Sequence, residues 1–527
     1  MKRPITLFVL LFILFLWSSR LGLDGYETEY LLSAQNLILN GSFSMYPEPV
    51  HVAGVPDRPP GHICLPRHNL LQVLLTVPFF LLGMPLNGSI PDTTSAWFGL
   101  PIGSVLFVSL LNPVLTLLAV WLIMCIGHRL GFSDRASWLS GALYGCATMA
   151  WPYAGIGMEP LQTAMFLLSF LLYLRLRDAP TPSNTLWFAL AIAGLMHTKI
   201  SAPLPALPIA VTGLFTVWNQ PGRFRSRIGR IALFCLLLAC ATILWFGLYA
   251  YRKSTQYTPG FFDNVQWHLI PRNGVGFVVS PGKSLFAYNP ILLIYLAGIP
   301  TCVRRFRAPS IVLIATAFCI ALLIAPWDWS LIEECWGPRY LMPIIPILLI
   351  LGLPIVDRPW RKTSWIGFLA LVMVSMAVQI PGVLYPNANI LQYSQNSDIP
   401  VVDLTTWTPD LSPIVVGWHL TANKIRESVG IPMVPYTWSH YRGIVGHGTK
   451  PTVTTFTDHG KNRPFTLPFL LARYVQKQRD AAASPDGHPS SRHDIPWIFP
   501  LWFFVTLFLL ILLLSIIGRQ LGKDSPV

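Results

Sequence analysis

The stretch "YAGIGMEPLQTAMFLLSFLLYLRLR", residues 153–177, places an apolar run between one acidic residue and a pair of arginines. Residues 160–174 carry no charge, and Glu159 is the only charged residue between Arg135 and Arg175. An apolar run of this kind predicts a helix that crosses the hydrocarbon core, because a helix satisfies its own backbone hydrogen bonds there. An ionisable residue at the edge of such a helix is costly, which favours a functional role.

The whole chain of 527 residues has the same character, with 53% hydrophobic residues, 11% charged residues and a mean hydropathy of +0.53. This composition predicts an all-α polytopic membrane protein and excludes an ordinary soluble domain. The apolar blocks predict about twelve transmembrane helices, near residues 5–19, 102–124, 137–153, 160–174, 186–198, 202–218, 231–250, 288–302, 310–326, 341–356, 363–380 and 497–517.

The basic residues of the short loops predict the orientation. If Lys2 and Arg3 are cytoplasmic, every second loop carries the excess of arginine and lysine that marks the cytoplasmic side. The sequence therefore predicts a multi-pass protein of the plasma (inner) membrane, with both termini cytoplasmic and the long loops facing the periplasm or cell exterior. The net charge of +14 reflects this topology and attraction to membrane lipids, and it does not call for a nucleic acid partner.

The spans divide the chain into three parts. Residues 1–380 are predicted to form one transmembrane module, whose first outer loop covers about 20–101 and contains surface helices. Within that loop, the short apolar stretch 70–84 is interpreted as a re-entrant or surface helix. Residues 381–496 form an extracytoplasmic segment, and 497–527 form the last transmembrane helix with a short cytoplasmic tail.

Three acids follow the first span, in "LDGYETEYLLSAQN", residues 23–36. Asp24 and Glu27 have the spacing of a helix capping box, in which both side chains bind backbone amides. The alternative is that Asp24 is a general base that takes a proton from an acceptor hydroxyl or amine. Glu27 and Glu29 are rival bases. Glu159 also has a structural and a functional interpretation: it is a partner for the helix dipole or a catalytic acid.

Cations that suit an anionic substrate occur in three other outward segments. Lys199 lies beside His197 in "GLMHTKISAPLPALP", Lys283 lies in "VVSPGKSLFAYNP", and Arg339 precedes Tyr340 in "WDWSLIEECWGPRYLMPIIP". Lysine reaching for lipid phosphate and arginine anchored at the interface are the simpler interpretations. The functional interpretation is that these residues bind a substrate phosphate, with arginine making a two-point contact. No spacing of ligands predicts a metal site.

These features together resemble the integral-membrane glycosyltransferases of the C superfamily (GT-C), near the protein O-mannosyltransferases and the lipid A aminoarabinose transferase. The resemblance lies in an acid after the first span, the pair Glu159-Pro160, and Thr198-Lys199 after the fifth span. It implies that residues 1–380 are a catalytic module with an active site facing the periplasm or cell exterior. It also implies a polyprenyl-phosphate-linked sugar donor and inversion at the anomeric carbon. It also implies that Asp24 is the base, that Glu159 is a second acid near acceptor or sugar, and that Lys199 contacts the donor phosphate. Many members have adjacent acids where this chain has Gly25-Tyr26.

The predicted function is therefore transfer of a sugar from a polyprenyl-phosphate donor to a lipid, glycan or protein acceptor of the cell envelope, without a cofactor. One alternative is a glycan polymerase or ligase that uses a pyrophosphate-linked donor. A polytopic transporter is another, and it would have charged or broken helices near the bilayer midplane. A noncatalytic scaffold is the third.

Overall fold

A computed structural model describes the fold for most of the apolar part of the chain. The residues that it describes are 2–18, 25–41, 70–87, 102–155, 157, 159–219, 224–255, 265–327, 335–360, 362–384, 406–407, 409–428, 431–432 and 498–522.

The described residues are almost entirely helical, and one isolated antiparallel bridge joins Val265 and Trp327. Short 3-10 turns lie at Met84–Leu86, Trp267–Leu269, Arg339–Leu341 and Pro409–Leu411. The α-helices are α1 (Lys2–Ser18), α2 (Gly25–Asn40), α3 (Leu70–Gly83), α4 (Ile102–Val108), α5 (Leu111–Arg129), α6 (Asp134–Cys146), α7 (Ala150–Tyr153), α8 (Glu159–Asp178), α9 (Pro182–Met196), α10 (Pro203–Trp218), α11 (Phe224–Thr255), α12 (Ile270–Val279), α13 (Leu285–Tyr288), α14 (Leu292–Leu296), α15 (Ile299–Arg305), α16 (Arg307–Ile324), α17 (Ile344–Leu351), α18 (Leu353–Val356), α19 (Lys362–Leu384), α20 (Pro413–Ser428) and α21 (Ile498–Gly522).

Several of these helices are apolar enough to enter a membrane. Within the described residues, four stretches have both the length and the composition to cross one: Gly103–Arg129, Ile228–Leu248, Arg307–Ile324 and Thr363–Leu384. Five shorter apolar helices accompany them, among them Leu70–Leu86, which covers the stretch predicted as a surface or re-entrant helix. The helical, apolar character of the fold agrees with the sequence, and the number of twelve spans stays a prediction.

Three of the predicted spans are interrupted in the structure. Residues 137–153 divide into α6 and α7, residues 288–302 divide into α13, α14 and α15, and residues 341–356 divide into a 3-10 turn, α17 and α18. Glycine and proline account for the last two, because Pro300 and Pro354 lack the amide that would continue a helix. The interruptions at Gly298 and Gly352 face each other, and a Cβ on Gly298 would lie 2.5 Å from the Gly352 carbonyl oxygen.

The break between α6 and α7 is stabilised from outside these helices. The amide of Met149 donates to the side-chain oxygen of Asn289, 2.8 Å away, so the backbone group released by the break keeps a partner. Around it lies one large apolar core shared by most of the helices, in which α1 packs against α5, α6 and α21. Helices α2, α3 and α4 form a smaller group that joins the core through α5.

The loops predicted to be cytoplasmic meet at one end of the helices. Nε of Arg129 lies 2.9 Å from a carboxylate oxygen of Asp178, and the amide of Ser133 donates to Asp357 at 3.1 Å. Helix α8 has 20 residues and so spans about 30 Å. Glu159, its first residue, therefore lies far from this basic end.

Candidate functional site

The site is built around Glu159, the first residue of α8. Gly157, two positions earlier, has a φ of +90°, a backbone conformation that favours glycine. Its carbonyl oxygen accepts a hydrogen bond from the side-chain amide of Asn112 at 2.9 Å. A Cβ on Gly157 would lie 2.7 Å from Oε2 of Glu159. The absence of a side chain there leaves room for the carboxylate, which is completely buried (0% exposed).

Two cations from distant parts of the sequence converge on this carboxylate. Nζ of Lys199, from the turn between α9 and α10, lies 3.2 Å from Oε1 of Glu159, and Nε of Arg339 lies 3.8 Å from the same oxygen. Lys199 is 8% exposed and Arg339 is 6% exposed. Burial raises the pKa of the Glu159 carboxyl, but the charges of Lys199 and Arg339 outweigh it and leave the pKa below its usual value. The Glu159 carboxyl group therefore faces two cations in a buried setting.

An aromatic ring completes the cluster. Nζ of Lys199 lies 4.1 Å from the centroid of the Tyr340 ring, and Cζ of Arg339 lies 4.9 Å from it. Both distances are within the range in which the electron-rich face of an aromatic ring attracts a cation. A side-chain nitrogen of Arg339 also contacts the Tyr340 hydroxyl at 3.1 Å. Glu159, Lys199, Arg339 and Tyr340 are called the ion cluster below.

The turn that leads to Arg339 is held on several sides. Gly337 has a φ of +63°, and a Cβ there would lie 2.8 Å from the Tyr288 ring, so only glycine fits without a shift of its neighbours. The Tyr153 hydroxyl donates to the carbonyl oxygen of Trp336 at 2.9 Å. The Trp336 ring meets the Tyr288 ring edge to face, with centroids 5.1 Å apart. The position of Arg339 therefore depends on packing contributed by α7 and α13.

Lys283 and His197, the other two residues that the sequence assigns to substrate binding, lie near the ion cluster. Lys283 is buried and its Nζ donates to the carbonyl oxygens of Cys335, at 3.0 Å, and Gly337, at 3.2 Å. The sequence predicts an anion contact for Lys283, whereas these contacts are to the backbone just before Arg339. His197 is buried and directly follows the last residue of α9, two positions before Lys199. Both residues thus adjoin segments that carry the cations.

One of the three acids that follow the first span, Glu29, is half-buried in α2. Asp24 lies outside the described residues, and Glu27 lies in α2 but its side chain is not described. Their roles stay predictions. Among the described residues, no group of three or more His, Cys, Asp and Glu side chains has the arrangement of a metal site.

Sequence reasoning did not identify the residues that support Arg339. The amide nitrogen of Gln379 donates to the carbonyl oxygen of Tyr288 at 2.6 Å, and its oxygen accepts from the Trp336 indole at 3.3 Å. The only signal in the sequence is an amide side chain within the apolar run of α19. Because Gln379 and Tyr288 are 91 positions apart, only the fold shows that they meet.

Comparison with known proteins gives structural likenesses alone, since no family model and no curated protein matches. The structure of ArnT from Cupriavidus metallidurans bound to undecaprenyl phosphate matches with 16% identity and a TM-score of 0.44, over 81% of this chain and 79% of that one. ArnT in the apo state matches with 16% identity and a TM-score of 0.45, over 98% and 77%. The Archaeoglobus fulgidus oligosaccharyltransferase matches with 10% identity and a TM-score of 0.42, over 75% and 58%. These likenesses concern the fold alone.

Proposed function

We propose that this protein is a membrane glycosyltransferase that moves a sugar from a polyprenyl-phosphate donor to a cell-envelope acceptor at the outer face of the membrane. The observation that carries the proposal is the convergence of Lys199 and Arg339 on one buried carboxylate at the end of an apolar helix. A guanidinium presents a fork of donors that matches phosphate oxygens, and an ammonium adds a compact charge. Because the protein holds Lys199 and Arg339 in position before the donor binds, the pair is suited to binding a phosphate at the membrane surface.

The proposed chemistry is a single displacement at the anomeric carbon of the sugar. An acceptor hydroxyl oxygen or amine nitrogen forms the new bond to this carbon, while the bond from the carbon to the phosphate oxygen breaks. The polyprenyl phosphate leaves with the bonding electrons, and the general base takes the acceptor proton. Lys199 and Arg339 stabilise the negative charge that grows on the phosphate. Because attack and departure occur on opposite faces, the configuration inverts.

Asp24 is the proposed base, with Glu27 and Glu29 as the alternatives. Glu159 has a different proposed role, because a completely buried carboxylate between two cations is badly placed to accept a proton from the acceptor. We assign it as a positioning residue that holds Lys199 and Arg339 in the orientation that the donor phosphate requires. Preorganised charges of this kind lower the barrier because they need no rearrangement during the reaction.

A transporter is the second candidate, because broken helices favour one and the predicted spans 288–302 and 341–356 are interrupted. The ion cluster, however, lies at the first residue of α8 and at inter-helix turns, whereas a transported ion or substrate would meet charges along its path. The transferase therefore explains more of the described charged groups.

The test begins with the lipid-linked sugars that accumulate in cells lacking the gene, since these identify the donor. Radiolabelled donor is then incubated in detergent with the wild-type protein and with Asp24→Asn, in which asparagine still caps a helix well. We expect folded protein with abolished transfer for Asp24→Asn, and strongly reduced transfer for Lys199→Gln. Normal transfer by Asp24→Asn would move the base to Glu27 or Glu29. Normal transfer by Lys199→Gln, or substrate uptake into vesicles without transfer, would contradict the proposal.

A further inference from the structure

Lys283 makes an unusual pair of contacts for a lysine beside a membrane. Its ammonium is buried and donates to two backbone carbonyl oxygens of one turn, those of Cys335 and Gly337. Burying an ammonium is costly unless its donors are satisfied, so a neutral side chain would be the cheaper way to fill this space. The retention of a charge here points to a role that depends on its hydrogen bonds.

The second of these carbonyls connects Lys283 directly to the ion cluster. The carbonyl oxygen of Gly337 accepts from Nζ of Lys283 at 3.2 Å and from the backbone amide of Arg339 at 3.1 Å. Pro338, with φ −84° and ψ 71°, forms the tight turn that brings the Arg339 amide to this carbonyl. Any movement of the Gly337 peptide therefore moves the backbone that carries the Arg339 guanidinium.

Lys283 is itself held by a segment that comes much later in the chain. The carbonyl oxygen of Thr406 accepts from the Ser280 hydroxyl at 2.5 Å and from the Gly282 amide at 3.1 Å. The same Ser280 hydroxyl oxygen accepts from the backbone amide of Lys283 at 3.1 Å. Thr406 lies in the segment that the sequence assigns to the outer face, and it is completely buried. A continuous series of hydrogen bonds thus runs from Thr406 to Arg339.

We infer that Lys283 is a positioning residue that fixes the turn at residues 335–337, and through it Arg339, for binding the donor phosphate, with Thr406 as its support. The inference rests on the proposed function for the identity of the ligand. It changes the role expected from the sequence, because Lys283 acts through the backbone and Arg339 makes the phosphate contact. It also makes part of the outer segment a structural component of the donor site.

The experiment measures the turn and the ligand separately in the full-length protein. Hydrogen exchange of the backbone amides at residues 335–342 reports on the turn, and titration with undecaprenyl phosphate reports on the site. Both are measured for wild type, Lys283→Met and Lys283→Arg. Arg307→Met is the matched control, because it removes an exposed cation at the first turn of α16.

We expect faster exchange at residues 335–342 in Lys283→Met and about 10-fold weaker binding of undecaprenyl phosphate, because the turn loses its hydrogen bonds to a charged group and must be ordered again when the ligand binds. Lys283→Arg should recover part of the slow exchange and part of the affinity for undecaprenyl phosphate, because it keeps the charge and the donors. Arg307→Met should match wild type. If Lys283→Met does not fold, Ser280→Ala is used, since it removes the bond to Thr406 and the acceptor for the Lys283 amide, and it should shift both readouts in the same direction.

Unchanged exchange in Lys283→Met, or faster exchange with unchanged binding, would overturn the inference. If the wild-type protein itself fails to bind undecaprenyl phosphate, the proposed function fails and the donor role of Lys283 fails with it. The exchange data would still show in that case whether Lys283 holds the turn, so the two failures are distinguishable.

Discussion

Replacing Glu159 by glutamine tests the ion cluster most directly. The substitution keeps the shape of the side chain and removes its charge, while Lys199 and Arg339 remain buried beside it. Removing one partner of a buried ion pair is strongly destabilising, because it leaves a charge without compensation in a poorly solvated place. We therefore expect a large loss of folding stability from a change of one atom.

The distances give the size of the effect. With an effective dielectric constant of about 20, Coulomb's law gives about 5 kcal/mol for charges 3.2 Å apart and about 4 kcal/mol for charges 3.8 Å apart. The glutamine amide still accepts a hydrogen bond and recovers part of this energy. The expected net loss is about 3–5 kcal/mol, the range found when one member of a buried pair is removed.

The assay is reversible unfolding of the purified protein in detergent. The matched control is Asp178→Asn, because Asp178 pairs with Arg129 at 2.9 Å but the two side chains are 37% and 38% exposed. Solvent screens an exposed pair, so this control should cost less than about 1 kcal/mol. A third variant, Lys199→Met, and the double variant with Glu159→Gln complete a double-mutant cycle.

The cycle also defines the result that would refute the reasoning. If Glu159 and Lys199 interact as the structure indicates, the double variant should be more stable than the sum of the two single losses predicts. The reasoning would be refuted if Glu159→Gln and Asp178→Asn lowered the free energy of unfolding equally. It would also be refuted if the losses in the cycle were strictly additive, because burial would then not strengthen the ion pairs of the cluster.

Three further substitutions follow from the geometry. Gly157→Ala forces a side chain into a φ of +90° and toward Oε2 of Glu159, so we expect a loss of about 1–3 kcal/mol and weaker binding of undecaprenyl phosphate in a titration. Tyr153→Phe removes the donor to the Trp336 carbonyl and should cost about 1–3 kcal/mol in thermal unfolding, with faster hydrogen exchange at residues 335–337. Gly352→Ala places a Cβ 2.5 Å from a backbone carbonyl oxygen far from the ion cluster, so unfolding should show a loss of about 1–3 kcal/mol while ligand binding stays at the wild-type level.

The sequence predicts where the helices are better than it predicts their continuity. Apolar runs such as those of α5, α16 and α19 are visible because membrane crossing imposes both length and composition. The interruption between α6 and α7 has one local signal, Pro152, whose ring would conflict with the carbonyl of Thr148 in a continuous helix. The interruption also depends on Asn289, a residue 140 positions from Met149. The side-chain oxygen of Asn289 accepts a hydrogen bond from the Met149 amide, which the break leaves without a partner in the helix.

The candidate site shows the same division. Glu159, Lys199, Arg339 and Tyr340 are identifiable from the sequence because charge is rare in this chain and such residues at the ends of apolar runs stand out. The sequence does not show that these residues contact one another. It also does not show the backbone role of Lys283, for which it predicts an anion contact.

By itself, the sequence determined that this chain is a helical membrane protein and which few charged residues lie at the ends of its helices, since both follow from the local cost of polar groups in hydrocarbon. Only the tertiary structure decided that Glu159 is a buried partner of two cations and that Lys283 holds the turn before Arg339. These relations join residues 40 to 180 positions apart, and no local pattern encodes them because they arise from the packing of helices against one another.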